Sequence, residues 1–231
     1  YIPEYPYTYI QSIEQNVKHK PSKSNIHLYE NGLALLEFPG FTIPGTAELV
    51  ITAQNYQPYF EDVQIFAPDG PFCIYEEHTI NDDSLGNGNG YAEYDEQVFI
   101  NLSMVNYGND DAYDVNVTIS SACSDVIIED AADVYDTIIV NGIVTCENGY
   151  LIHLSDGIED QTSMIFDVIA VDSQDSTWES QFEITAFAPK LTPLDLIVDD
   201  SETGNNNGML DPGESAIIKV KTTNTGHCTA Y

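Results

Sequence analysis

The chain has 231 residues, with 38 acidic side chains against 6 lysines and no arginine, for a formal net charge of −32. Such a surface repels nucleic acid and anionic membranes, because phosphate binding takes clustered Lys and Arg, and it favours divalent cations and cationic partners through the summed field. A composition that is 42% hydrophobic, with 15 tyrosines and 9 phenylalanines, argues for packed cores rather than a disordered acidic tract. No run approaches the roughly 20 apolar residues of a membrane helix, so membrane insertion is not expected.

Residues 1–25 are rich in Tyr and Pro, and Pro3, Pro6 and Pro21 argue against helix there. From residue 28 onward the text reads as β. The stretches 33–38 (LALLEF), 47–53 (AELVITA) and 61–67 (EDVQIFA) have strand character, so residues 1–67 read as the closing part of one small sandwich. Tyr56, Tyr59 and Phe60 are expected to pack its end. Pro68-Asp69-Gly70-Pro71 is a linker. In residues 68–190 alternation is clearest: Val98, Ile100, Leu102 and Met104 point one way, and Val115, Val117 and Ile119 repeat the pattern. Met164, Phe166, Val168 and Ala170 form another strand, and Phe182, Ile184 and Ala186 close the unit. Turn signals at Gly108-Asn109-Asp110, Asn141-Gly142, Asn148-Gly149 and Asp156-Gly157 separate the strands. Period two with one buried face predicts a complete antiparallel sandwich. Lys190-Leu191-Thr192-Pro193 forms a second linker, and residues 191–231 read as the start of a third, truncated module. The expected fold is all-β: tandem immunoglobulin-like antiparallel β-sandwiches.

One loop occurs twice. Residues 82–96 (DDSLGNGNGYAEYDE) and 199–214 (DDSETGNNNGMLDPGE) share Asp-Asp-Ser, then Gly-Asn-x-Asn-Gly, then an acid, then a glutamate. The likeness continues downstream, where 105–115 and 223–231 share Asn, Gly, Ala and Tyr in register. Ca²⁺ takes six to eight oxygen ligands, and the second copy nearly matches the twelve-residue calcium loop D-x-[DN]-x-[DN]-G-x5-E. Asn205, Asn207, Gly208, Asp211 and Glu214 occupy its third, fifth, sixth, ninth and twelfth places. Asn87, Asn89, Gly90, Glu93 and Glu96 do so in the first copy. Thr203 and Leu85 hold the first place, so the missing carboxylate is expected from Asp199 or Asp200, and from Asp82 or Asp83. A bound cation would neutralise acids and stiffen the junction; the alternative is a solvated turn in which Asn and Gly tolerate left-handed backbone.

The four cysteines show no zinc or redox spacing. Cys123 and Cys146 share a module and could form a disulfide, with free buried thiols as the alternative. Cys73 precedes His78 and Cys146 precedes His153, but no nucleophile elbow or oxyanion loop surrounds either pair, so no catalytic residue is assigned.

Residues 31–66 carry Pro44-Gly45-Thr46, a Leu-x-Ile-Thr-Ala strand at 49–53, Gln54-Asn55-Tyr56-x-Pro58-Tyr59 and Val63-Gln64-Ile65. This stretch resembles the last strands of the immunoglobulin-like domain that follows the catalytic domain in gingipain-type cysteine peptidases of Bacteroidota. The resemblance implies a fragment from the non-catalytic region of a secreted or cell-surface protein. The expected role is a calcium-stiffened stalk or accessory region whose partners are neighbouring modules, with an adhesin-type repeat binding extracellular protein or glycan as the alternative.

Overall fold

The computed structural model describes residues 8–15, 25–28, 34–37, 43–53 and 57–230. Among them the secondary structure is entirely β, in sixteen strands, and the chain divides into two compact units.

The first unit comprises Tyr1–Cys73 with Asn106–Ala112 and Ile139–Gly142. Strands β1 (Thr8–Gln15), β4 (Gly45–Ala53) and β5 (Tyr59–Ile65) form an antiparallel sheet in the order β1-β4-β5. Strands β2 (Asn25–Leu28) and β3 (Ala34–Glu37) pair with each other. β1 lies upstream of residue 28, where the sequence reading began its strands. Pro3 and Pro6 precede it, and Thr8-Tyr9-Ile10 is a β-branched and aromatic run suited to a pleated surface. A second correction concerns Tyr59 and Phe60. Both are more than half exposed on β5 and pack no core; Tyr56 lies outside the described residues.

The second unit holds the sandwich. One sheet has four strands in the order β10-β12-β8-β6: β6 (Cys73–Asn81), β8 (Gln97–Asn106), β10 (Val126–Asp130) and β12 (Ile143–Leu154). The other has five, in the order β11-β9-β13-β14-β7: β7 (Ala92–Glu93), β9 (Ala112–Ser121), β11 (Ala132–Ile138), β13 (Thr162–Val171) and β14 (Thr177–Phe187). The first order matches the A-B-E-D sheet of an immunoglobulin-like domain and the second its C-F-G sheet. The short β7 runs parallel to β14, while the neighbouring β13–β14 pair is antiparallel.

The alternation read from the sequence is the core of this sandwich. Val98, Ile100, Leu102, Met104, Val115, Val117, Ile119, Met164, Phe166, Val168, Ala170, Phe182, Ile184 and Ala186 are all buried. Each fully buried aliphatic or aromatic side chain contributes about 1.5–3 kcal/mol. Two buried tyrosines tie the sheets together. Tyr135 on β11 donates its hydroxyl to the Leu102 carbonyl on β8 at 2.7 Å, and Tyr150 on β12 donates to the Val117 carbonyl on β9 at 3.3 Å. Burial pushes both phenols well up, so they stay protonated and can donate.

The expected Cys123–Cys146 disulfide is absent: both thiols are free. Cys146 sits on β12 opposite Leu102 and donates to Asp133 Oδ2 at 2.8 Å. Cys123 follows β9 in the other sheet, near the far end of β12, where Val126 pairs with Leu154. That places it many residues along the strand at ~3.3 Å each, well beyond the ~7 Å Cα separation a disulfide tolerates.

The last strands, β15 (Leu191–Asp199) and β16 (Ile217–Asn224), form an antiparallel hairpin that belongs to the second unit. They stand 118 residues beyond β6 and β8. Ile218 and Val220 are about half exposed, whereas Ile100 and Leu102, the residues 118 earlier, are fully buried in the sandwich.

Along the sandwich flank, Tyr75, His78 and Phe182 stack with centroid separations of 4.9–5.9 Å, and the Tyr75 hydroxyl lies 2.8 Å from His78 Nδ1. Burial lowers the His78 pKa, so the folded state holds this ring neutral. The unfolded chain binds that proton more readily, hence stability rises with pH across the interval just below the ordinary imidazole value of about 6.5 and is lost as pH falls through it. Urea midpoints at pH 7.5 and 5.5 are expected to fall further on acidification for the native chain than for His78→Phe; equal falls would refute the assignment.

Candidate functional site

The doubled loop is built on two carboxylates that accept backbone amides. In the first copy Asp82 is buried and turned inward. Its Oδ2 accepts the Asn89 N–H and its Oδ1 the Gly90 N–H, each at 2.9 Å. Glu96, also buried, accepts the Asn87 N–H at 3.1 Å on Oε1 and the Glu93 N–H at 3.0 Å on Oε2. Asn87 and Asn89 add local turns by accepting the N–H two residues on. Gly86 is needed because a Cβ there would collide with the Glu96 carboxylate and the Asp82 side chain.

The electrostatics of the two acids differ. Burial alone would raise Asp82, yet the amides of Gly90 and Asn89 and further backbone hydrogen bonds hold it below the ordinary carboxylate value. Glu96 is raised, by burial first, against the pull of the Glu93 and Asn87 amides; the charges of Asp82 and Glu93 push it the same way as burial. Three acids therefore crowd one small loop.

The second copy repeats this wiring at an offset of 118. Asp200 accepts from Asn207 and Gly208, and Glu214 accepts from Asn205 and Asp211. Gly204 would likewise collide with Glu214 if it carried a Cβ. The hydrogen bonds correct the apparent register of the shared Asp-Asp-Ser. Asp200, not Asp199, is the counterpart of Asp82. Asp199 corresponds to Asn81, and each accepts the N–H two residues on, Ser201 and Asp83 respectively. Asp199 is turned to Lys219 and Ser201, which hold its carboxyl down to about 2. Asp83 is exposed.

The downstream likeness is a clasp built on asparagine. Asn106 Oδ1 accepts the N–H groups of Phe72 and Gly108, both at 2.9 Å, and its Nδ2 donates to the Asp110 carbonyl at 2.8 Å. Asn224 does the same with Lys190, Gly226 and Cys228 at 2.9, 2.9 and 2.7 Å. Backbone bonds complete each clasp: Tyr107 to Phe72 and Asn109 to Gly70 in one, Thr225 to Lys190 and His227 to Ala188 in the other. A Cβ on Gly108 would run into the Gly70–Phe72 backbone, and one on Gly226 into Ala188–Lys190. So in each copy an Asn-x-Gly turn grips a linker segment 34 residues upstream. The shared Asn and Gly are visible in the sequence, but the bonds they make are not.

As candidate ligands, the oxygens are largely committed elsewhere. Both oxygens of Asp82, Glu96, Asp200 and Glu214 accept amides. Asn87 donates its amide to Glu93, and Asn205 and Asn207 donate theirs to Asp211. Among the described residues, no group of three or more His, Cys, Asp or Glu is placed to hold a metal ion. What the arrangement does offer is a close grouping of negative charge with free lone pairs on each carboxylate.

The thiol–imidazole pairs are not assembled. Cys73 and His78 lie five residues apart on one strand, about 16 Å at strand spacing, and His78 is engaged with Tyr75. Cys146 is pushed up to about 12 by burial and by its bond to Asp133, which keeps it a thiol, while His153 lies near Asp95 and Glu129.

No family model matches the chain, and no curated protein does. Among solved structures it is similar to the ASH / PapD-like domain of human CEP192, at 15% identity and a TM-score of 0.28, over 42% of this chain and 75% of that one. It is also similar to BcpA, the major pilin subunit of Bacillus cereus, at 10% identity and a TM-score of 0.24, over 86% of this chain and 74% of that one. Likenesses this slight carry no functional content.

The wiring sets an order among substitutions. Asp82→Ala strips two charge-assisted acceptors and should cost about 3 kcal/mol, as should Asn106→Ala, whereas Asp83→Ala should cost under about 0.5 kcal/mol. Chemical denaturation of the three variants checks this; an Asp83 variant as weak as the Asp82 one would mean the loop is not closed through Asp82.

Proposed function

We propose that this chain is a non-catalytic spacer: a run of immunoglobulin-like sandwiches in the accessory region of a secreted or cell-surface, gingipain-like cysteine peptidase, with a divalent cation contributing at the doubled loop. The observation that carries the spacer reading is the clasp repeated at an offset of 118 residues. A turn that fastens the incoming linker to the body of its module removes the freedom a linker would otherwise have. Ordered connections of this kind suit a segment that holds other domains at a set distance. The resemblance of residues 31–66 to a post-catalytic immunoglobulin-like domain supports the parentage.

The cation part of the proposal is supported by the crowding of Asp82, Glu93 and Glu96. The loop is already closed by amides, so the ion's contribution is to relieve repulsion among these acids. Ca²⁺ suits the oxygen-only donor set of carboxylates and asparagine carbonyls. A net charge of −32 adds a general attraction for cations, which salt screens.

Two measurements test these parts separately. Calorimetric melting should show a midpoint that climbs by several degrees with Ca²⁺ concentration at constant ionic strength, as ligand binding to the folded form requires, and the climb should shrink in Glu93→Gln. Identical midpoints in calcium and in chelator would remove the cation. Trypsin should cut after Lys190 slowly in the native chain and at least tenfold faster in Asn224→Ala; fast cutting in the native chain would remove the spacer.

A further inference from the structure

Among the positions at which the two copies of the clasp differ, one exchanges an amide for an imidazole. The first carries Asn109, whose Oδ1 accepts the Gly70 N–H at 2.8 Å. The second, 118 residues on, carries His227. Its Nδ1 lies 2.8 Å from Asp160 Oδ2 and its Nε2 lies 3.1 Å from the Gln161 amide nitrogen. The ring sits 5.6 Å from the Phe187 ring, centre to centre. Asp160 Oδ1 in turn accepts the N–H groups of Ala188 at 3.1 Å and of His227 at 3.2 Å. One carboxylate, from the connection between β12 and β13, therefore holds both the linker and the turn that grips it.

We propose that His227 makes this joint proton-sensitive: the hold of the β15–β16 hairpin on the sandwich tightens when the imidazole is charged and slackens when it is neutral. The inference rests on the spacer reading above, for which the stiffness of this joint matters.

In the neutral ring, Nδ1–H donates to Asp160 and Nε2 accepts from Gln161. Adding a proton turns the first bond into an ion pair, which is shorter and stronger than a neutral one. It also sets a cation near the Phe187 ring. The Gln161 amide must then turn so that its oxygen accepts from Nε2–H. Acidic groups lie nearby. Glu93 of β7, Asp95 and Glu96 line the same cleft as His227, together with the Cys228 thiol. Burial, with the negative charges of Glu93, Asp160 and Glu96 adding to it, pushes that thiol up to about 11, so it remains neutral. Of the residues lining the cleft, His227 alone can become positive.

The sign follows from the two groups. The ion pair needs the charged imidazole, so the tighter hold belongs to the acid side and the slacker one to the alkaline side. Asp160 is held below its ordinary value, first by the hydrogen bond from His227. Its half of the pair persists above about pH 4 and fails only under stronger acid.

Trypsin cleavage after Lys190 reads the opening of this joint in the full chain. His227→Asn is the reference, because asparagine is the residue the first clasp already uses. The ratio of native to His227→Asn cleavage rates cancels the protease's own pH dependence. It is expected to fall about threefold between pH 8 and pH 6, the size of an exposed ion pair, and the fall should vanish in Asp160→Asn. A ratio that stays level while both proteins are cut slowly overturns the proton sensitivity and leaves the spacer intact. Rapid cutting of both at every pH overturns the two together.

Discussion

Backbone amides in a loop must find acceptors or face water, and outside the strand ladders many of those acceptors must be side chains. In this protein the acceptors are short, oxygen-bearing side chains placed at fixed points. Asp82, Glu96 and Asn106 each satisfy two N–H groups, and Asp200, Glu214 and Asn224 repeat the set. Every feature of the junctions depends on this arrangement. The glycines are small where a carboxylate or a passing backbone must come close. The offset stays at 118 residues from Asp82 and Asp200 through Glu96 and Glu214 to Asn106 and Asn224.

The sandwich between the junctions follows a different rule. Its strands are held by alternating apolar residues and by two inter-sheet tyrosine hydrogen bonds rather than by a disulfide. The tyrosines act at depth, where a hydroxyl without a partner would be costly, and their carbonyl acceptors are the backbone of the opposite sheet. The thiols of Cys146 and Cys228 are held in the neutral form by burial and by surrounding acids. The acidic surface thus bears on chemistry as well as on solubility.

The same acidity explains why the doubled loop looks like a cation site and yet closes without one. Calcium loops and carboxylate-capped turns draw on the same residues, since both need oxygens on a curling backbone. Burial and like charge push Glu96 up while amides hold Asp82 down. The loop is therefore closed by hydrogen bonds while like charges crowd it.

The sequence by itself determined the all-β class, the inward-facing residues of the sandwich and the doubling of one loop. Period-two burial and repeated Gly and Asn positions are local properties, visible in a string of letters. It did not determine which aspartate enters the loop, because Asp82 and Asp83 differ only in direction, and the shared Asp-Asp-Ser misaligns the copies by one residue. It left β1 unread behind its prolines, placed Tyr59 and Phe60 in a core they do not join, and left open between a disulfide and free thiols the Cys123 and Cys146 that two sheets hold apart. The grip of Asn106 on Phe72 and of Asn224 on Lys190 was likewise decided only by tertiary structure. Its partners lie 34 residues apart in the chain, and a hydrogen bond over that distance exists only once the strands between them have paired.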